Sequence, residues 1–168
     1  MSHVEEAIRM WEVYRKGTIG EFANIPEEQW DHRVGEGARS VRELAVHIAA
    51  SANAFVDELL AAEPSFRRTM QRRAELEGPH LSKSKGELLD LLETSGAENA
   101  RRLREVGEPL AEQRMPSSGA EQSRLAGLWF AAAHEMYHRG QATAYARQLG
   151  IVPAMTQQTQ KSTIAPRR

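Results

Sequence analysis

Three Ser-x-x-Glu sequences, beginning at Ser2, Ser40 and Ser84, each precede a run of apolar residues with helical periodicity. In such a capping box the serine and the glutamate satisfy free backbone N–H groups at a helix start, so these sequences constrain the chain to form helices. A fourth apolar pattern ends at Gly150 and Pro153, which are typical of a helix C-terminus. The four patterns predict long helices over residues 2–16, 41–62, 85–106 and 120–149.

The connections between these helices are long, which is typical of a bundle with crossovers. We expect Gly17 and Gly20 to end the first helix and residues 21–37 to form a crossover. Residues 65–77 are typical of a short exposed helix or lid, and residues 107–119 are turn-rich. No alternating strand pattern is present. The sequence therefore predicts an all-α fold, a four-helix bundle with long crossover connections.

The bundle is expected to form one domain over residues 1–153, since a chain of 168 residues is long enough to bury a core without metal or disulfide support. Residues 154–168 are rich in Gln, Thr and Lys. We expect them to form a polar tail that is mobile or packs as an arm on another subunit.

Composition limits the partners and the compartment. The net charge is −1 with both signs scattered along the chain, which argues against nucleic acid as a partner. The longest run of apolar or small residues, 125–133, is about half the length of a membrane-spanning helix, so no membrane association is expected. The chain has no cysteine and no signal-peptide pattern, which favours the cytoplasm and means that any thiol chemistry needs an external thiol.

His134 and His138 are the strongest chemical signal, because side chains four residues apart on a helix point the same way and can share one metal ion. With Glu135 they spell H-E-x-x-H, a zinc-protease signature in which the glutamate is the general base. Those enzymes take a third ligand from downstream, and residues 139–168 contain no Asp, Glu or His. We therefore set the protease interpretation aside and favour a salt bridge or a helix-face charge over base catalysis for Glu135.

The third ligand must then lie upstream, and His47 is the candidate on the core-facing stripe of a predicted helix. Three histidines would leave coordination positions open, as in catalytic metal sites, and imidazole suits zinc, nickel, iron and copper alike. Gln141 shares the face of His134 and His138 and could orient a ligand. No catalytic residue is assigned. The alternative is that the three histidines pack the core without a metal.

Three segments carry a family resemblance: residues 40–48 around His47, the H-x-x-x-H-R-G-Q sequence that begins at His134, and Leu-Gly-x-x-Pro at residues 149–153. Together they resemble the DinB/YfiT-like superfamily. The resemblance implies a four-helix bundle, a divalent metal (commonly zinc or nickel) on His47, His134 and His138, and often a homodimer. Relatives use low-molecular-weight thiols such as bacillithiol or mycothiol in S-transfer and in maleylpyruvate isomerisation.

Two functions follow from these observations. The first is a metal-dependent enzyme that acts on a small molecule by activating an external low-molecular-weight thiol, as in an S-transferase, or a water, as in a hydrolase. The alternative is a non-catalytic metal-binding module that serves a stress response or an interaction with a partner.

Overall fold

A computed structural model describes residues 2–117 and 120–164 of the chain. These residues form helices α1 (His3–Asn24), α2 (Val41–Leu60), α3 (Phe66–Glu77), α4 (Lys85–Val106), α5 (Pro109–Glu112), α6 (Arg124–Gln148) and α7 (Ala154–Ile164), and strands β1 (Arg114–Ser117) and β2 (Ala120–Ser123). No helix of the described residues is long and apolar enough to cross a membrane.

The predicted capping boxes start the long helices. Ser40 and Glu43 form a reciprocal box at α2: the backbone N–H of Glu43 donates to Ser40 Oγ at 3.2 Å, and the N–H of Ser40 donates to the Glu43 carboxylate at 2.9 Å. Ser84 caps α4 in the same way, and Ser2 Oγ accepts the N–H of Glu5 at α1. Each box satisfies N–H groups that would otherwise lack a partner inside the helix.

Four helices, α1, α2, α4 and α6, close into a ring around the core, in which α1 and α2 each pack against both α4 and α6. The core has two layers, one around Phe22, Trp30 and Ile48 and the other around Ile8 and Trp11. Burial of such large side chains is the main driving force for the bundle. The predicted all-α four-helix bundle is confirmed.

Helix α1 is longer than predicted and runs through Gly17 and Gly20 to Asn24. Glycine weakens a helix by about 1 kcal/mol relative to alanine, so the sequence pattern indicated an end there. Tertiary packing outweighs this cost, because Phe22 is fully buried in the core and the guanidinium group of Arg139 lies against the bare backbone of Gly17.

A short antiparallel hairpin also differs from the prediction, which contained no strand. Strand β1 pairs with β2 so that Arg114 lies opposite Ser123 at one end of the hairpin and Ser117 lies opposite Ala120 at the other. Helix α6 therefore begins at Arg124 rather than at residue 120, with the Ser123 hydroxyl as its N-cap. Four-residue strands are too short to produce a periodicity that can be distinguished from a polar link.

Helix α7 occupies part of the segment expected to be a mobile tail or an arm. It follows Pro153, and its first backbone N–H groups, those of Ala154 and Met155, donate to the buried carboxylate of Glu21 on α1 at 2.8 and 3.1 Å. A carboxylate at a helix N-terminus satisfies free donors and complements the helix dipole. Residues 165–168 of the expected tail lie outside the described residues.

Candidate metal centre

The packing of α2 against α6 brings three histidines from distant parts of the chain together. His47 on α2 and His138 on α6 have their Nε2 atoms 3.1 Å apart, and the Nε2 atoms of His138 and His134 are also 3.1 Å apart. One ligand nitrogen from each histidine can be chosen so that all three lie within 4.8 Å of one another. His47 and His138 are buried, and His134 is half-buried.

Hydrogen bonds at the opposite ring nitrogens define the tautomers of two of these histidines. Nδ1 of His47 lies 2.8 Å from Oε1 of Glu77 on α3, and Nδ1 of His138 lies 2.7 Å from Oε1 of Gln141. Both partners are oxygen acceptors, so each Nδ1 carries the proton and donates it. The Nε2 lone pairs of His47 and His138 are then free and point at each other.

This arrangement fits a metal ion. Two unprotonated imidazole nitrogens 3.1 Å apart repel each other, and a metal ion bound to both removes that repulsion. Ligand nitrogens at about 2.0–2.1 Å from zinc, at angles between octahedral and tetrahedral, are about 2.8–3.4 Å apart. The two Nε2 separations that involve His138 fall in that range, and all three ligand atoms lie within 4.8 Å of one another. The residues present therefore suit a divalent ion with three imidazole ligands, in which Glu77 and Gln141 orient the rings.

The electrostatic environment keeps these histidines neutral. Burial is the largest cause that lowers the pKa of His47 to about 3, followed by the positive charge of Arg39. Burial and the two neighbouring histidines lower the pKa of His134 to about 3. Burial also lowers the pKa of His138, against the hydrogen bond to Gln141, which raises it. A metal ion binds neutral imidazole, so all three histidines are in the protonation state that metal binding requires at neutral pH.

Aromatic side chains cover one side of the centre. The ring of Phe55 meets His134 edge to face at a centroid distance of 5.1 Å, and Phe130 packs on Phe55 at 5.5 Å. Ser51 places its Oγ atom 3.5 Å from His47 Nε2. The centre therefore combines an apolar wall with a partly exposed ligand, His134, through which a small molecule can approach.

Comparison with known proteins identifies the family of the chain. The sequence profile of the DinB family matches residues 1–168, the whole chain. The chain belongs to the DinB family. No curated protein matches the sequence.

Solved structures share the fold of this DinB protein. A DinB-like protein from Bacillus subtilis is 20% identical and superposes with a TM-score of 0.67 over 86% of this chain and 92% of its own. YfiT from Bacillus subtilis, described as a probable metal-dependent hydrolase with an unusual four-helix bundle topology, is 17% identical with a TM-score of 0.67 over 88% of each chain. A mycothiol-dependent maleylpyruvate isomerase is 16% identical and superposes with a TM-score of 0.63. The match includes 81% of this chain but only 59% of the isomerase chain.

Glu135 faces away from the three histidines of this DinB protein. Its carboxylate accepts hydrogen bonds from Arg15 Nε at 2.5 Å and Nη2 at 3.0 Å, and from Trp11 Nε1 at 2.6 Å, and all three side chains are buried. The glutamate of H-E-x-x-H therefore joins α6 to α1 through a salt bridge, one of the two structural roles, salt bridge or helix-face charge, that were favoured over base catalysis. The geometry offers it no role as a base at the metal centre.

Glu77 was not among the residues predicted for the site. It lies thirty residues after His47 at the end of the short helix α3, and no local pattern connects the two. Gln141, expected from its position on the helix to orient a ligand, does bond to His138. Among the described residues, His3, His32 and His80 are not part of the cluster. Only the packing of α3 on α2 brings Glu77 next to His47.

Proposed function

We propose that this DinB protein is a divalent-metal-dependent enzyme that acts on small molecules, with the ion held by Nε2 of His47, His134 and His138. One observation carries the proposal: the Nε2 atoms converge while hydrogen bonds at Nδ1 hold the rings of His47 and His138. Three imidazole ligands leave coordination positions for substrate, whereas closed structural sites have four protein ligands. Zinc and nickel are the proposed metals.

When bound, a divalent ion favours the deprotonated form of a thiol or a water and polarises an electrophile. The protein's own residues have three tasks. Glu77 and Gln141 keep the Nδ1 protons in place, so that each Nε2 lone pair faces the ion. Phe55 and Phe130 exclude water from one side of His134. The Ser51 hydroxyl can donate a hydrogen bond to a reacting group next to His47.

We favour an external low-molecular-weight thiol as the nucleophile, as in an S-transferase. The chain has no cysteine, and one structural relative is a mycothiol-dependent isomerase. A thiolate is the reactive form of a thiol, and a metal promotes it at neutral pH. Hydrolysis by an activated water is the second candidate, supported by the description of YfiT as a probable metal-dependent hydrolase.

The test is elemental analysis of untagged protein followed by activity screening. We expect one zinc or nickel per chain in the wild type, loss of the metal in His138→Ala, and retention in His32→Ala, whose imidazole lies outside the cluster. Metal-loaded protein is then screened with bacterial thiols and electrophiles, and with ester and amide substrates. Turnover that disappears in His138→Ala supports the enzyme. Metal binding without any turnover would instead favour the non-catalytic module that serves a stress response or a partner.

We further propose that the protein is a homodimer that uses the outer face of α6. Trp129, Phe130, Met136 and Tyr137 on that helix are exposed by 41%, 57%, 38% and 66%. Exposed apolar patches of this kind commonly mark interfaces. Sedimentation equilibrium should give a dimer for the wild type and a monomer for Trp129→Lys. A monomeric wild type would contradict the proposal. A cytoplasmic location stays a prediction.

A further inference from the structure

A cavity lies between residues 34–39 and the C-terminal half of α6. Its volume is about 490 Å³, within the usual range for small-molecule sites. Its walls include Val34, Gly37, Arg39, Gln141, Tyr145 and Gln148. We refer to it as the Arg39 pocket.

The Arg39 pocket adjoins the metal centre at Gln141. This residue lines the pocket, and its Oε1 atom accepts the Nδ1 proton of His138. Gln141 follows His138 by three residues, which corresponds to about 4.5 Å along the helix axis. A small molecule in the pocket would therefore contact the residue that holds the His138 ring.

Arg39 is the cation available to a ligand in this pocket. Its neighbour Arg33 is already paired, with hydrogen bonds from Nη1 and Nη2 to the two carboxylate oxygens of Glu43. Within residues 2–117 and 120–164, no carboxylate lies within ion-pair distance of the Arg39 guanidinium. The Tyr145 hydroxyl donates a hydrogen bond to the Arg39 backbone carbonyl and so holds this part of the loop on α6.

We propose that the Arg39 pocket binds the carboxylate group of the small-molecule substrate or thiol co-substrate, beside the glutamine that holds the His138 ring. This inference rests on the proposed function. The planar guanidinium fork matches the two oxygens of a carboxylate, and one cation neutralises one carboxylate. A phosphate dianion would require further cations, and the nearby Arg33 is occupied. Val34 and Ala144 provide apolar contacts for a short carbon chain.

The test measures binding rather than turnover. Acetate, succinate and benzoate are titrated into zinc-loaded and metal-free protein at low salt, and amide chemical shifts of Gly37 and the Gln141 side chain are followed by NMR. We expect at least one probe to shift these signals in both forms. Loss of a charge-assisted hydrogen bond should weaken its binding about tenfold or more in Arg39→Gln. Arg147→Gln, which removes an exposed arginine from the same helix, should bind like the wild type.

Other outcomes overturn the inference. They are failure of all three carboxylates to shift the Arg39 pocket signals, equal binding by Arg39→Gln, or tighter binding of inorganic phosphate than of any carboxylate. Binding that needs zinc and is unchanged in Arg39→Gln would mean that the probes contact the metal alone. Failure of the proposed function is a separate result. If the purified protein contains no metal, carboxylate binding by the wild type and by Arg39→Gln can still be compared in the metal-free protein.

Discussion

Nδ1 of His47 lies 2.8 Å from Oε1 of Glu77, and this contact joins the buried centre of the bundle to the exposed helix α3. Arg73, one turn before Glu77 on α3, places its Nε atom 3.5 Å from the same carboxylate oxygen. The orientation of a candidate ligand in the core thus depends on a helix that packs at the edge of the ring.

Glu77→Ala should weaken metal binding about 10–100-fold, because the His47 ring loses the acceptor that fixes its Nδ1 proton and its orientation. Glu77→Gln keeps an acceptor oxygen without the charge, and an intermediate effect is expected. Competition with a chromophoric chelator measures the affinity. Glu75→Ala, an exposed glutamate on the same helix, is the control. Unchanged affinity in Glu77→Ala would show that the contact does not orient the ligand.

The metal-free protein should lose stability as the pH falls from about 6.5 toward 3. Burial is the largest cause that lowers the pKa of His47 and of His134 to about 3. Between about pH 6.5 and pH 3, these two imidazoles are therefore protonated in the unfolded chain but not in the folded chain. Stability therefore rises with pH in this window. The two histidines together should cost about 2–4 kcal/mol between pH 7 and pH 5.

Urea unfolding of the metal-free protein at a series of pH values measures this dependence. The range from pH 7 to 5 lies above the ordinary titration of carboxylates, which separates the histidine contribution from theirs. The double variant His47→Gln/His134→Gln should show a flatter pH profile, whatever its absolute stability. A wild type whose stability is constant over this range would mean that the imidazoles become protonated without a penalty from the fold.

Glu135→Gln should destabilise the fold by about 3–5 kcal/mol, because it leaves the buried Arg15 guanidinium without a counter-charge. The double variant Arg15→Met/Glu135→Gln removes the unpaired charge and keeps an acceptor for Trp11, so it should recover much of the loss. Chemical denaturation measures both. A folded double variant that binds metal normally would support a purely structural role. Loss of the metal from that variant would argue for a function at the centre.

The two glycines within α1 should respond to alanine in opposite directions. A Cβ atom at Gly17 would lie 2.3 Å from Nη1 of Arg139 and displace a guanidinium that pairs with the buried Glu21 at 3.8 Å. Gly20 has nothing within 4 Å of that position. Gly20→Ala should therefore stabilise the protein by about 0.5–1 kcal/mol, and Gly17→Ala should destabilise it.

Thermal unfolding of the two alanine variants provides the comparison. Both substitutions carry the same gain in helix propensity, so the difference between them isolates the contact with Arg139. Equal stabilisation of both variants would mean that the arginine side chain moves away without cost.

Much of the helical framework could be predicted from local patterns. The capping box at Ser84 and the glycine after α4 placed that helix at residues 85–106, the bounds observed. Prediction failed where packing overrode local preference, as at Gly17, or where the element was too short for a period, as in the hairpin at residues 114–123. Helix α7 was not predicted either, because its capping by Glu21 depends on a residue more than 130 positions away.

The amphipathic helices and the spacing of His134 and His138 follow from the sequence alone, because both depend on a helical repeat that is readable along the chain. The partner of each carboxylate depends on tertiary packing: Glu135 pairs with Arg15, and Glu77 pairs with His47. These pairings join residues 30 and 120 positions apart, and they follow from how helices pack, which no local period encodes.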